Sequence, residues 1–586
     1  MSANTSLPSS ALNAEKRQAA LDAMTDAEGL DILVVGGGVT GAGIAVDAAS
    51  RGLRTGIVEM GDWAAGTSSW SSKLVHGGLR YLYQLDFPLV AEALAERGRL
   101  LTETAPHLVK AQPFLWPLKH EVERAYSAVG VGMYDALALL GARGKATVPV
   151  QHHLTAKGTK RLAPSLDTSG LAGAIKFYDA RVDDSRLVIS LVRTAVENGA
   201  LAASRTKVVE YLKNDHGRVI GARVEDLEAS AKTGKKVVRD IYSRRVINAT
   251  GVWTEQTQEL AGVTNGLKVL ASKGIHIVVP KEAIEAETGI FLRTEKSVLF
   301  IIPWPRYWVI GTTDTAWHEN IDHPVATSAD IDYVLDHANA VLEKPISRKD
   351  IIGVYAGLRP LLQPGVKEGE SGETASTKVS REHTVTEVAP GLTSIAGGKL
   401  TTYRVMAADA VDFALGVEQT KVHPTCTERL ALVGAAGLDE VTARSGEIAR
   451  AHGWTLARVD HLLSRYGAET QELLELIDAK PEYGQPLESA PAFLKAEVAW
   501  AVTHEGALHL DDIIVHRVRL DLEQRDHGLA AADEIAEIAA PLLGWSKDDV
   551  AAELAAYARR CTALAQAEKE TEDAAAAAHL DGLGQV

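Results

Sequence analysis

Residues 31–59 read DILVVGGGVTGAGIAVDAASRGLRTGIVE: a short apolar run closes on three glycines, a small-residue helical stretch follows, and a second apolar run ends on Glu59. Strand, glycine turn, helix and strand in so short a space form a βαβ unit, which commits this part of the chain to a parallel sheet with helices on its faces. Gly36, Gly38 and Gly41 occupy the G-x-G-x-x-G positions between strand and helix. The first permits the tight turn, the second lets the backbone approach a pyrophosphate, and the third lets helix and strand pack closely, while the helix N-terminus favours phosphate charge. Glu59 stands where a carboxylate accepts hydrogen bonds from a ribose diol, which favours an adenosine ribose without a 2′-phosphate. NAD and FAD share this fingerprint, so the unit alone leaves both open.

At 586 residues the chain exceeds one compact core and predicts about two to four domains. Its 46% hydrophobic and 24% charged residues suit a soluble globular protein. A net charge of −16 argues against nucleic acid as the main partner, because phosphate backbones are held by clustered cations. The two cysteines, Cys426 and Cys561, lie far from every motif and suggest neither a disulfide framework nor a metal site, in keeping with a reducing, cytoplasmic setting. The first thirty residues do not read as a secretory signal, and no apolar run is long enough to span a bilayer. The stretch SVLFIIPWPRYWVIG, 297–311, is broken by Pro303, Pro305 and Arg306 and reads as a hairpin of two buried strands.

The expected fold class is α/β: a doubly wound, Rossmann-like dinucleotide domain, a β-rich substrate domain and a helical C-terminal domain. Residues 1–28 read as a loosely ordered arm with one short helix. The dinucleotide domain is expected at about 31–110, 184–265 and 350–409, and the substrate domain at about 111–183 and 266–349. From 424 to 586 alanine, leucine and charged residues recur at helical spacing, ending in the low-complexity AEKETEDAAAAAHLDGLGQV, read as a frayed tail.

Three later segments carry the chemistry. SSKLVHGGLRYL, 71–82, gathers Lys73, His76, Arg80 and Tyr81 just after the βαβ unit. NATG, 248–251, follows a strand and resembles the turn with which FAD-dependent oxidoreductases return to their cofactor, using Thr250 and Gly251. GGKLTTYR, 397–404, is a second glycine turn entering a helix, able to aim N–H groups and a helix dipole at an electron-rich ring. Two returns to one extended cofactor suit FAD better than NAD.

Taken in order with GLRPL at 357–361, these segments resemble the FAD-dependent glycerol-3-phosphate dehydrogenases from about Asp31 to Asp409. The resemblance implies oxidation of sn-glycerol 3-phosphate to dihydroxyacetone phosphate, with electrons passing through FAD to a quinone and peripheral contact with the cytoplasmic face of a membrane. A homodimer stays open. By resemblance, Arg80, Tyr81, Arg359 and Arg381 contact the substrate phosphate, a task suited to the planar arginine fork. Lys399 stabilises the reduced flavin or the developing alkoxide. His76 is the candidate general base, although Lys399 or Arg359 could instead acidify the alcohol enough for water to take the proton. Ser68, Ser69, Ser72 and Lys73 are expected near FAD, the serines either as phosphate donors or as caps of the next turn. Val208 is expected at the adenine edge, and Gly398, Leu400 and Thr402 at the ring. Two alternatives keep the flavin: a glycerol-3-phosphate oxidase that reduces oxygen, and a related amine or amino-acid oxidase.

Overall fold

The computed structural model describes residues 7–79, 86–141, 147–293, 298–363 and 383–583. Its βαβ unit consists of the strand Leu30–Val35, the helix Val39–Ser50 beginning at Gly38, and the strand Thr55–Val58, the two strands pairing in parallel. The first sheet runs in the order 383–389, 392–397, 238–248, 30–35, 55–58, 201–203, and the hairpin of Thr206–Lys213 with Val219–Asp226 joins it through Val238–Asn248. Distant chain segments therefore flank this strand pair on both sides, 238–248 against the first strand and 201–203 against the second.

Small residues let this layer close up. Helix Val39–Ser50 packs against the helices Asp184–Glu197 and Tyr403–Leu415. A Cβ on Gly43 would stand 2.9 Å from the Tyr403 ring, so glycine sets that helix spacing.

The second sheet is largely antiparallel and contains the predicted hairpin, Val298–Pro303 against Tyr307–Gly311. It also takes a piece expected in the first. Strand Gly353–Leu362 runs antiparallel along Val269–Pro280, so the expected 350–409 segment divides, and only 383–397 returns to the dinucleotide sheet. Alternating apolar residues state that a strand is half-buried without stating its partner.

The C-terminal region is helical, as read, and is fastened to the rest by buried ion pairs. Arg186 meets Glu505 at 2.5 Å, Arg517 meets Asp62 at 2.6 Å, and Arg193 meets Glu469 at 2.6 Å. Breaking such a pair on one side costs about 3–5 kcal/mol, because a buried charge loses its partner.

Both termini depart from the sequence reading. Instead of a loose arm, the described part of 1–28 carries the helix Ala14–Met24, capped by Asn13, with Leu21 and Met24 buried. Arg17 donates to the Ser204 carbonyl and to Asp226, each at 2.7 Å. Its polar composition concealed a narrow apolar stripe beside a paired arginine. The expected frayed tail is likewise docked: helix Asp573–Ala578 buries Ala576, and the Ser328 N–H donates to the Glu570 carbonyl at 2.7 Å. Among the described residues no helix is long and apolar enough to cross a membrane.

Candidate active site

One cavity of about 1000 Å³ runs between the two sheets and beneath the C-terminal helices. That lies at the upper end of the range for small-ligand pockets, about 300–1,000 Å³, as an extended dinucleotide requires. Ser68 and Thr250 meet the glycine turn at Gly38 and Gly36, so these four line the cavity's nucleotide end with Glu59, Val208 and Gly251, and Ser72, His76, Arg359, Gly398, Lys399 and Leu400 line the remainder.

The dinucleotide turn has the geometry its glycines demand. Gly36 has φ +111°, and a Cβ there would stand 2.6 Å from the Ala249 carbonyl, where the strand of the NATG turn ends. Gly41 does not reach the cavity: its Cβ would be 1.8 Å from the Gly36 carbonyl, so its role is helix-to-turn packing. The Ser68 hydroxyl accepts the Val39 N–H at 2.9 Å and so caps the helix start beside Gly38. Glu59 accepts the Gly37 and Gly61 N–H groups at 2.5 and 2.8 Å. Burial raises its pKa against the lowering effect of those hydrogen bonds. The cradle, the carboxylate and the volume of the cavity fit FAD.

Three other expected cofactor contacts also lie behind the wall. Lys73 is 1% exposed and commits its ammonium to Asp184 at 2.7 Å and the Ser69 carbonyl at 3.0 Å. Burial, then the nearby Arg519, lowers its pKa to about 8. The Ser69 hydroxyl pairs with His516 Nδ1 at 3.1 Å. Thr402 is buried behind the second glycine turn, and its neighbour Thr401 lines the cavity instead. In this 3₁₀ turn Leu400 and Thr401 line the cavity while Thr402 faces the interior, and the sequence does not say which way each faces. Arg80, Tyr81 and Arg381 fall outside the described residues.

At the chemical end, Arg359 bonds Thr312 Oγ1 at 3.0 Å, the Thr313 carbonyl at 3.1 Å and Asp314 at 3.3 Å, which fixes its guanidinium at the wall. Gly274 makes room for it: a Cβ there would be 2.3 Å from Arg359 Nη2. Lys399 follows Gly397 and Gly398, whose φ values of +82° and +80° turn the chain into the helix Tyr403–Leu415.

The structure adds residues that sequence reading missed. His276 lies across the strand pair from Tyr355, stacks on it with ring centroids 4.7 Å apart, and shares a 2.9 Å hydrogen bond with Ser72 Oγ through Nε2. Burial, then Arg359 and Lys73, holds its pKa well below the ordinary imidazole value, so it is neutral at pH 7. The available signal was a lone histidine two residues after a glycine in the apolar strand KGIHIVVP. Arg205 enters at the nucleotide end, where Asp512 of the C-terminal domain holds it at 2.6 Å. Beside it His509 bridges Glu228 and Glu553 at 2.9 and 2.8 Å. Burial alone would lower the pKa of His509, but the two carboxylates raise it to about 11.

A glycine-cradled nucleotide site joined through one cavity to a cationic, histidine-bearing pocket defines a flavin-dependent oxidoreductase. Residues 31–404 match the FAD dependent oxidoreductase family, and residues 425–550 match the C-terminal domain of alpha-glycerophosphate oxidase. The chain is 47% identical over 570 residues to the glycerol-3-phosphate dehydrogenase of Mycobacterium leprae, covering 97% of this chain and 94% of that one. It is 34% identical to the mitochondrial glycerol-3-phosphate dehydrogenase SDP6 of Arabidopsis thaliana, covering 91% and 86%. The crystal structure of the Bacillus halodurans glycerol-3-phosphate dehydrogenase complexed with FAD superposes with a TM-score of 0.74 at 27% identity, covering 94% of this chain and 98% of that one. The chain belongs to the FAD-dependent glycerol-3-phosphate dehydrogenase family.

Proposed function

We propose that this protein oxidises sn-glycerol 3-phosphate to dihydroxyacetone phosphate, with FAD as its cofactor and a membrane quinone as electron acceptor. The observation that carries the reading is the convergence of His76, Arg359 and Lys399 on the cavity that begins at the dinucleotide turn. A phosphorylated secondary alcohol needs fixed positive charge at its phosphate and a proton acceptor at its hydroxyl, and these side chains supply both.

Arg359 serves the phosphate: its anchors to Thr312 and Thr313 hold the guanidinium in place before substrate arrives. Lys399, which lines the same cavity, favours the alkoxide character that develops on the substrate hydroxyl. The His76 imidazole accepts the hydroxyl proton. Its backbone is held by Thr401, whose hydroxyl accepts the His76 N–H and donates to the His76 carbonyl, each at 3.1 Å. Neutral His276 lines the same end without adding a third cation. What FAD supplies when bound is a two-electron sink for the hydride of the carbinol carbon. By the family resemblance, Arg80, Tyr81 and Arg381 add to the phosphate site, and membrane contact is peripheral, at the cytoplasmic face.

Anaerobic mixing of the holoenzyme with sn-glycerol 3-phosphate tests the first half-reaction: the flavin absorbance should bleach, and dihydroxyacetone phosphate should appear in equal amount. A quinone analogue should then restore the colour. Fast reoxidation by oxygen with stoichiometric peroxide, and none by quinone, would replace the dehydrogenase reading with the oxidase.

A further inference from the structure

The end of the chain forms part of the cavity wall. After the helix Lys547–Ala567 the chain turns back, and the helix Asp573–Ala578 leads to Leu580, Gly582 and Leu583, all of which line the cavity shared with Gly36 and Arg359. Ala576, Ala577 and Leu580 join Val252, Trp317 and Leu358 in one apolar cluster. Val252 belongs to the turn directly after Thr250 and Gly251, and Leu358 precedes Arg359. The segment thus lies across the boundary between the cofactor turn and the substrate strand.

Its fastening is specific but slight. Lys273 Nζ, on a side chain 1% exposed, pairs with Asp330 at 2.6 Å and with Asp573. Because Asp330 remains when Asp573 leaves, the segment can lift without stranding a buried ammonium. Its cluster contacts come from only four side chains, Ala576, Ala577, Leu580 and Leu583, and the two alanines bury little area each. The helix Leu529–Leu543, by contrast, sits within the large apolar core of the C-terminal domain. The two family matches end at residues 404 and 550, so neither accounts for this segment.

We infer that residues 568–583 are a cofactor-retaining strap: they complete the wall around FAD, and FAD exchanges with solvent when they lift. The inference rests on the FAD reading and deepens it.

Holoenzyme is prepared in three forms beside the unaltered chain: truncated after Ala567, and full-length Asp573→Ala and Leu580→Asp. Each is diluted into FAD-free buffer, and FAD release is followed by the rise in flavin fluorescence. Truncation should raise the release rate about tenfold or more, and the two substitutions by a smaller factor, since loss of contacts acts mainly on dissociation. Asp573→Glu should restore most of the retention lost in Asp573→Ala. If the truncated chain does not fold, the full-length variants decide. Release at the unaltered rate from folded variants overturns the strap, as does a change confined to the KM for glycerol 3-phosphate. In either case stoichiometric FAD at the start of the measurement leaves the cofactor reading intact.

Discussion

The Tyr134 hydroxyl accepts the Gly77 N–H at 2.8 Å and donates to Asp179 Oδ1 at 2.6 Å. The peptide following His76 is therefore fixed from behind by a phenol that does not line the cavity. Arg97 donates to the same Asp179 oxygen at 2.7 Å and to the Tyr178 carbonyl at 2.8 Å. Burial raises the pKa of Asp179, against the opposing pull of Arg97. With Thr401 on the other side, the His76 backbone is gripped at both ends.

Tyr134→Phe should therefore slow catalysis without emptying the site. The Gly77 N–H would keep only the 3.4 Å contact with Asp179. Loss of one buried hydrogen-bond partner costs about 1–3 kcal/mol, so kcat should fall about tenfold while KM changes less than about twofold. Stopped-flow flavin reduction and bound-FAD absorbance make the check. Undiminished flavin reduction would mean that this clamp does not position His76.

Arg359→Ala should retain the yellow FAD spectrum, because the guanidinium is anchored on the second sheet, away from the nucleotide turn. A charge-assisted contact to phosphate is worth about 1.5–3 kcal/mol, so kcat/KM should drop roughly 10- to 150-fold, mainly through KM. Steady-state kinetics within twofold of the unaltered enzyme would remove Arg359 from the phosphate site.

Two of the fingerprint glycines, Gly41 and Gly38, should fail in different ways. Gly41→Ala forces a Cβ to 1.8 Å from the Gly36 carbonyl and should lower the melting temperature even of the FAD-free protein. At Gly38 a Cβ meets only Ser68 Oγ, at 3.2 Å, so Gly38→Val should fold yet lose FAD by crowding the pyrophosphate approach. Differential scanning fluorimetry with and without added FAD separates the two, and stoichiometric flavin in Gly38→Val would contradict the assignment.

His504 makes the fold sensitive to acid. It stacks on Trp500 with ring centroids 3.8 Å apart, and burial, then Arg193, lowers its pKa to about 3. Between about pH 6.5 and 3 the unfolded chain binds a proton that the fold refuses, so stability falls as pH drops, by about 1.4 kcal/mol per unit. His504→Phe keeps the stack and removes this proton. Relative to the unaltered protein, its melting temperature should improve steadily as pH falls from about 6.5 to 5, with little change above 7. A gap that does not change with pH would show that His504 takes up its proton in the folded state.

The βαβ unit and the two later glycine turns were legible because each is local: a few residues fix backbone geometry whatever surrounds them. The same holds for FAD, since three such turns can serve one extended ligand. Side-chain direction was not legible. Ser68 and Ser69 are neighbours, yet one caps the helix at the cavity and the other pairs with His516 in the interior. Lys73 read as a cofactor contact, and a carboxylate 111 positions away claimed it. His276 gave almost no signal, because a histidine in an apolar strand becomes informative only once its cross-strand partner is known.

By itself the sequence determined a dinucleotide cradle with two later glycine turns that return to it, because glycine conformations act over a few residues, and the phosphorylated alcohol entered only through family resemblance. Only the tertiary structure decided which side chains face the cavity, which sheet receives 353–362, and that a polar arm and an alanine-rich tail are docked elements. Those outcomes depend on buried ion pairs and small apolar contacts between residues far apart in the chain, which no local pattern encodes.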